Sequence, residues 1–174
     1  QRASIANRDG RSSSALVDES GRQLLNTLVP YGTTLPRHAH PEYLRDVLKS
    51  GVMRVSDLMS DAVAGGKVLT VDVPVILDGK QRFVLSQAFL PSELDVALRR
   101  SELPANYIIG IFDRNGVSIA RSHRASEMVG KPVRKDLYDA SRAAPDGVCD
   151  ATPRPNTPAL VAHTRPPLPP APPR

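Results

Sequence analysis

Val68-Leu69-Thr70-Val71-Asp72-Val73-Pro74-Val75-Ile76-Leu77-Asp78-Gly79-Lys80-Gln81-Arg82-Phe83-Val84-Leu85-Ser86-Gln87-Ala88-Phe89 is the stretch on which the fold turns. Two runs rich in β-branched and aromatic residues flank Asp78-Gly79. Asp-Gly accepts positive φ at both central positions of a tight turn, so it is the strongest two-residue hairpin signal. Residues 68–77 and 82–89 are therefore read as antiparallel strands. Alternate residues of a strand share a face. Thr70, Asp72 and Pro74 look one way, and Leu69, Val71, Val73 and Val75 look the other. Proline has no amide proton to give a neighbouring strand, so Pro74 marks an edge or a bulge.

Working outward, residues 13–18 and 22–29 form a first hairpin across Asp18-Glu19-Ser20-Gly21. Asp at the first turn position caps backbone amides, and Gly at the fourth tolerates positive φ. Pro41 opens a short helix with Leu44, Val47 and Leu48 on one side and Gly51 as its stop. Residues 52–59 are read as a strand. Beyond the central hairpin, Pro91 and Ser92 start a helix carrying Leu94, Ala97 and Leu98, and Pro104 forbids its continuation. The first pattern then returns. Residues 107–113 and 117–121 flank Asp113-Arg114-Asn115-Gly116, 95 residues after the first Asp-x-x-Gly, and a helix follows at 134–143. Hairpins with helices inserted between them imply an α+β fold, an antiparallel sheet with helices on one face. The reading divides the chain into a first module, residues 1–103, an incomplete second copy, 104–150, and a tail, 151–174. The tail holds nine of the seventeen prolines and is read as disordered or extended.

Composition removes several classes of function. Of 174 residues 40% are apolar, enough for a core, but four Tyr, three Phe and no Trp leave little for a base-stacking platform. The net charge of +5 comes partly from Arg154, Arg165 and Arg174 in the tail, and no basic block occurs, so no nucleic-acid partner is expected. One cysteine, Cys149, excludes an internal disulfide and is read as inert. No run approaches the roughly 18 apolar residues of a membrane span. The chain starts at Gln1 and reads as a piece of something longer. His38-Ala39-His40 with Glu42 nearby lacks a third ligand at fixed spacing, so loop histidines are preferred to a metal site. There is neither a Gly-x-Ser-x-Gly elbow nor a phosphate-binding glycine loop. No catalytic residue, cofactor or metal is assigned.

Leu16-Val17-Asp18-Glu19-Ser20-Gly21-Arg22-Gln23-Leu24-Leu25-Asn26-Thr27, followed by Pro30-Tyr31-Gly32, resembles the opening hairpin of extracytoplasmic Cache sensor domains. Val55-Ser56-Asp57-Leu58, Val71-Asp72-Val73-Pro74-Val75 and Phe83-Val84-Leu85-Ser86 resemble the core strands that follow. Ile111-Phe112-Asp113-Arg114-Asn115-Gly116-Val117-Ser118-Ile119-Ala120-Arg121-Ser122, with Met128-Val129-Gly130-Lys131-Pro132, is similar to the start of the membrane-proximal half. The match covers about residues 12–148, and order and spacing carry it rather than any one element. It implies a PAS-like fold, a five-stranded antiparallel sheet with a small-molecule hollow between sheet and helices. It also implies a place facing the periplasm in an inner-membrane sensor histidine kinase or diguanylate cyclase, working as a homodimer. The implied partner is a small molecule, an amino acid or organic acid.

Polar residues inside apolar strands are the candidate ligand contacts. If the valines of residues 68–77 build the core, Asp72 is merely solvated. If helices cover the Asp72 side instead, its carboxylate takes a cationic or hydroxylated ligand, because an unpaired buried charge is costly. Ser56 and Ser86 interrupt the adjoining strands in the same way. Arg54 either holds a ligand carboxylate in a bidentate grip or pairs with a surface acid. Tyr31 either closes a pocket mouth or packs on the first hairpin. Asp18 and Asp113 are assigned to turn capping. The leading expectation is a non-enzymatic small-molecule sensor. The alternatives are a small hydrolase using His38 or Asp72, and a PAS-like dimerisation module without a ligand.

Overall fold

Asp78 and Gly79 adopt φ of +52° and +66°, the left-handed conformations that the Asp-Gly pair was chosen for. The computed structural model describes residues 12–79, 81–100, 104, 106–151 and 159–166. In it β5 (Gly66–Leu77) and β6 (Gln81–Phe89) pair antiparallel along their length, from Leu69 opposite Phe89 to Leu77 opposite Gln81. That register encloses three residues, one more than a two-residue loop. β1 (Ser12–Asp18) lines the other side of β6, and β2 (Gln23–Asn26) closes the sheet beyond it. The two-residue β3 (Arg54–Val55) sits on the far side of β5, giving the order β2-β1-β6-β5-β3, and β4 (Met59–Asp61) pairs with the start of β5. Every pairing is antiparallel.

Two expectations about these strands change. Residues 52–59 are not one strand: β3 ends at Val55, Ser56 still bonds the backbone of Thr70, and 57–58 reach the turn at Asp113 and Arg114. β3 covers β5 only opposite Val71 and Asp72, so Pro74 lies where β5 has no neighbour on that side. Its missing amide proton costs no ladder bond there.

The helix α1 (Pro41–Ser50) starts with proline in its first turn and stops at Gly51, whose φ of +67° lets its amide reach back to the Val47 carbonyl. Leu44, Val47 and Leu48 recur at helical spacing and are buried with Val17 of β1 and Val84 of β6, while Ala15 and Tyr43 pack around them. Full burial of each such side chain contributes about 1.5–3 kcal/mol. Val84 stands opposite Pro74 in the register, so α1 covers the face that carries Thr70, Asp72 and Pro74. The valine face remains open, with Val73 and Leu85 about two-fifths exposed.

The rest of the chain comprises α2 (Pro91–Arg99), β7 (Gly110–Phe112), β8 (Ser118–Arg121), α3 (Ala125–Met128), α4 (Lys135–Ala143), β9 (Asp146–Ala151) and β10 (Ala159–Thr164). β7 with β8, and β9 with β10, form separate two-stranded sheets. A second cluster joins this part to the first. Leu69 of β5, Ile119 and Ala120 of β8 are buried together, with Leu58, Leu94 and Leu98 around them. The turns at Asp18 and Asp113 share their main backbone and capping bonds. In each turn the aspartate carbonyl accepts from the glycine amide and the aspartate Oδ1 accepts from two later amides. The pairing of His38 N–H with the Gly21 carbonyl recurs, at the same offset, as Val133 N–H with Gly116.

The disordered-tail expectation fails at residues 159–164, which form strand β10 against β9, Val161 opposite Cys149. Apart from His163 these six residues are apolar, β-branched or small, and none is proline, a local run hidden by the proline content around it. The remainder of that tail, 152–158 and 167–174, lies outside the described residues, as do 1–11 of the first module. Among the described residues no helix is long and apolar enough to cross a membrane.

Candidate functional site

Asp72 is 1% exposed, although it is a charged side chain. Strand alternation points it under α1, and three hydroxyls converge on it. Thr70, two residues earlier on the same face, donates to Oδ2 at 2.5 Å. Ser86, opposite Asp72 on β6, donates to Oδ1 at 2.5 Å. Tyr43 of α1 donates from above to Oδ2 at 2.8 Å. No Lys or Arg among the described residues pairs with it. A carboxylate buried without a counter-ion is normally costly, and hydrogen bonds to its charged form offset that cost. Burial, and then the Asp72 charge, push the Tyr43 phenol well above its ordinary range, so it stays a neutral donor.

Around this centre the other predicted residues divide. Ser86 is in direct contact with Asp72. Ser56 is buried just outside, its hydroxyl donating to the Asp57 carbonyl at 2.8 Å and accepting from the Thr70 amide at 2.8 Å. Arg54 takes the register position opposite Asp72 but is exposed, and its Nε donates to Ser50 Oγ at 3.3 Å. Among the described residues it pairs with no acid. Tyr31 is 91% exposed and does not pack on the first hairpin.

Sequence reasoning missed Tyr43 and Thr70. Thr70 shares the parity of Asp72, a signal present in the sequence. Tyr43 is 29 residues from Asp72, and only the docking of α1 joins them. His38 also belongs to the surroundings. Its Nδ1 accepts from the His40 amide at 3.1 Å, and its imidazole lies near enough to Asp72 to feel the charge. Burial lowers its pKa, and Asp72 opposes that without reversing it. His40 Nδ1 lies 3.2 Å from Glu42 Oε1 on the surface. No group of three His, Cys, Asp or Glu among the described residues is placed to hold a metal.

On the Asp72 face the hydroxyls of Tyr43, Thr70 and Ser86 surround the carboxylate. Further along β5 and β6 a void of about 20 Å³ is lined by Ser12, Ser13, Leu28, Ala64, Val68, Ala88, Phe89 and Leu90. That is room for one water, not for a metabolite.

No family model matches the sequence, and comparison with curated proteins yields no match. Solved structures do match. The extracellular domain assigned to the histidine kinase rpHK1S-Z16 superposes with a TM-score of 0.73 at 15% identity, over 94% of this chain and 70% of that one. The chain shares the fold of that extracellular domain. The ligand-binding domain of the Pseudomonas aeruginosa PAO1 amino acid chemoreceptor PctC, solved with GABA, matches with a TM-score of 0.53 at 21% identity, over 80% of this chain and 60% of that one. That of the Pseudomonas fluorescens chemoreceptor CtaA, solved with L-valine, gives 0.54 at 14% identity, over 88% and 71%. The expected α+β fold, an antiparallel sheet with helices packed on it, is thus shared with these domains.

Proposed function

We propose that this chain is the small-molecule-sensing region of an extracytoplasmic, membrane-anchored signal-transduction protein of the histidine-kinase or diguanylate-cyclase type, acting as a homodimer by binding rather than by catalysis. Asp72, with Ser86 and Thr70, takes the ammonium group of an amine-bearing metabolite such as an amino acid. The observation that carries this reading is the fully buried Asp72 carboxylate, satisfied by three hydroxyls and by no cation. An ammonium group supplies the missing charge and up to three donors to the same oxygens. GABA and L-valine, bound by the PctC and CtaA domains, each combine an amine with a carboxylate. Arg54, at the register position opposite Asp72, is the cation placed to turn toward such a carboxylate. Ser56 holds Thr70 in place from behind.

In this conformation Tyr43 holds the place of the ligand. Its hydroxyl occupies Oδ2 of Asp72, and its ring packs on the cluster beneath α1. An entering amine displaces that hydroxyl, and α1 moves with it. The response is limited by the difference in affinity between the closed and opened arrangements.

Thermal-shift and calorimetric titration with L-valine, GABA and asparagine test the reading. At a hundredfold excess over Kd a ligand adds about 2.7 kcal/mol of stability. We expect at least one probe to stabilise the protein, Tyr43→Phe to tighten its binding, and Asp72→Asn to abolish it. Absence of any shift in both the native protein and Tyr43→Phe overturns the proposal. The three hydroxyls that already satisfy Asp72 favour one second reading, a PAS-like dimerisation module without a ligand. A stable dimer indifferent to all three probes establishes that reading instead.

A further inference from the structure

Asp57 and Asp113 clasp each other's neighbours across the two halves of the molecule. Asp57 Oδ1 accepts from the backbone N–H of Arg114 at 3.1 Å, and Asp113 Oδ2 accepts from the backbone N–H of Leu58 at 3.2 Å. The Arg114 guanidinium reinforces the clasp, with Nε 3.1 Å from Asp57 Oδ1 and a terminal nitrogen donating to the Val55 carbonyl at 3.0 Å. The first turn of the repeat, at Asp18, uses Oδ1 for the same local capping as Asp113. Capping of its own turn therefore accounts for one oxygen of Asp113 and leaves the other for Leu58.

Residues 55–58 also grip β5 beside the candidate site. Ser56 N–H donates to the Thr70 carbonyl at 2.9 Å and Ser56 Oγ accepts from the Thr70 amide at 2.8 Å, so the backbone of Thr70 is held on both sides. Thr70 in turn bonds Asp72 through its hydroxyl. Ser56 spends its one proton on the Asp57 carbonyl. Leu58 buries its side chain against Leu69, Ile119 and Ala120. Any displacement of β5 at Thr70 and Asp72 therefore drags Ser56, then Asp57, then the turn 113–116.

We infer that residues 55–58 couple the Asp72 site to the β7–β8 half, with Ser56, Asp57 and Asp113 as positioning residues and the reciprocal aspartate clasp as the joint. The inference takes its meaning from the proposed sensing role of Asp72, but its test needs no ligand. In ¹H–¹⁵N spectra of the whole chain, Asp72→Asn is expected to move the amide signals of Leu58 and Arg114 as well as that of Ser86. Placed in a Ser56→Ala background, the same change is expected to move Ser86 and leave Arg114 where it was. Because the Arg114 charge also acts on Tyr43 through space, the Ser56→Ala background is what separates the bonded route from direct electrostatics. Should Ser56→Ala fail to fold, Asp57→Ala at a partly exposed position breaks the next link in its place. Unfolding constants of Asp72→Asn, Arg114→Ala and the double variant give the second measure. They should depart from the product of the single effects by more than about threefold. An Arg114 amide unmoved by Asp72→Asn, or moved equally with Ser56 replaced, overturns the inference. Silence toward amino acids combined with a responsive Arg114 overturns only the proposed ligand.

Discussion

At the scale of single residues the molecule rests on how one buried charge is satisfied. Asp72 has exchanged water for the hydroxyls of Tyr43, Thr70 and Ser86. Removing one donor should cost about 1–3 kcal/mol when the acceptor is left short inside a core, which is why Tyr43→Phe is expected to loosen the empty protein while favouring an amine. His38 sets the pH dependence near this site. Its folded pKa lies below its ordinary value because burial disfavours the imidazolium. Between the folded and unfolded pKa values the unfolded chain binds more protons, so stability rises with pH there. This contribution is complete above the unfolded value, about 6.5, and is lost as pH falls through the lower folded value. His38→Asn should flatten that segment of the profile, as read by urea unfolding at pH 5 and pH 7. An unchanged slope would remove His38 from the account.

At the scale of elements, β6 separates two environments within consecutive residues. Val84 is fully buried beneath α1, whereas Leu85, its neighbour, is 43% exposed on the opposite face. Truncation should therefore cost unequally, about 2 kcal/mol or more for Val84→Ala, with its cavity beneath Leu44 and Val47, and under about 1 kcal/mol for Leu85→Ala. Chemical denaturation of the two variants checks the assignment of faces, and equal losses would contradict it. The open face is nonetheless rich in apolar residues. Val73, Leu85, Leu16 and Leu25 follow one another across four strands in register. The two faces of β5 are thus an apolar one left partly open and a polar one that is buried, the reverse of the usual division.

At the scale of the whole molecule, the two cores draw on neighbouring strands: Val84 of β6 belongs to the cluster beneath α1, and Leu69 of β5 to the cluster of Ile119 and Ala120. Paired strands and the clasp at residues 55–58 should make both halves unfold together. Ile119→Ala and Leu44→Ala, each expected to cost about 2–5 kcal/mol, should lower one common calorimetric transition. Two resolved transitions, each answering to one variant, would show the halves to be independent.

What could be read directly from the amino-acid order was local. Period-two alternation and the Asp-Gly, Asp-x-x-Gly and Pro-start signals gave the strands, turns and helices, because each depends on residues within a few positions of one another. The repeat of the capped turn was legible for the same reason, and β10 was lost because proline was counted over a whole tail instead of between its prolines. The inward face of β5 was undecided, since its alternation offers a valine side and an aspartate side and parity alone cannot say which is covered. The docking of α1 on Val17 and Val84 decided it, bringing Tyr43 onto Asp72 from 29 residues away and leaving Tyr31 and Arg54 outside. Such contacts are set by which surfaces bury together in three dimensions, a choice that no window along the chain contains.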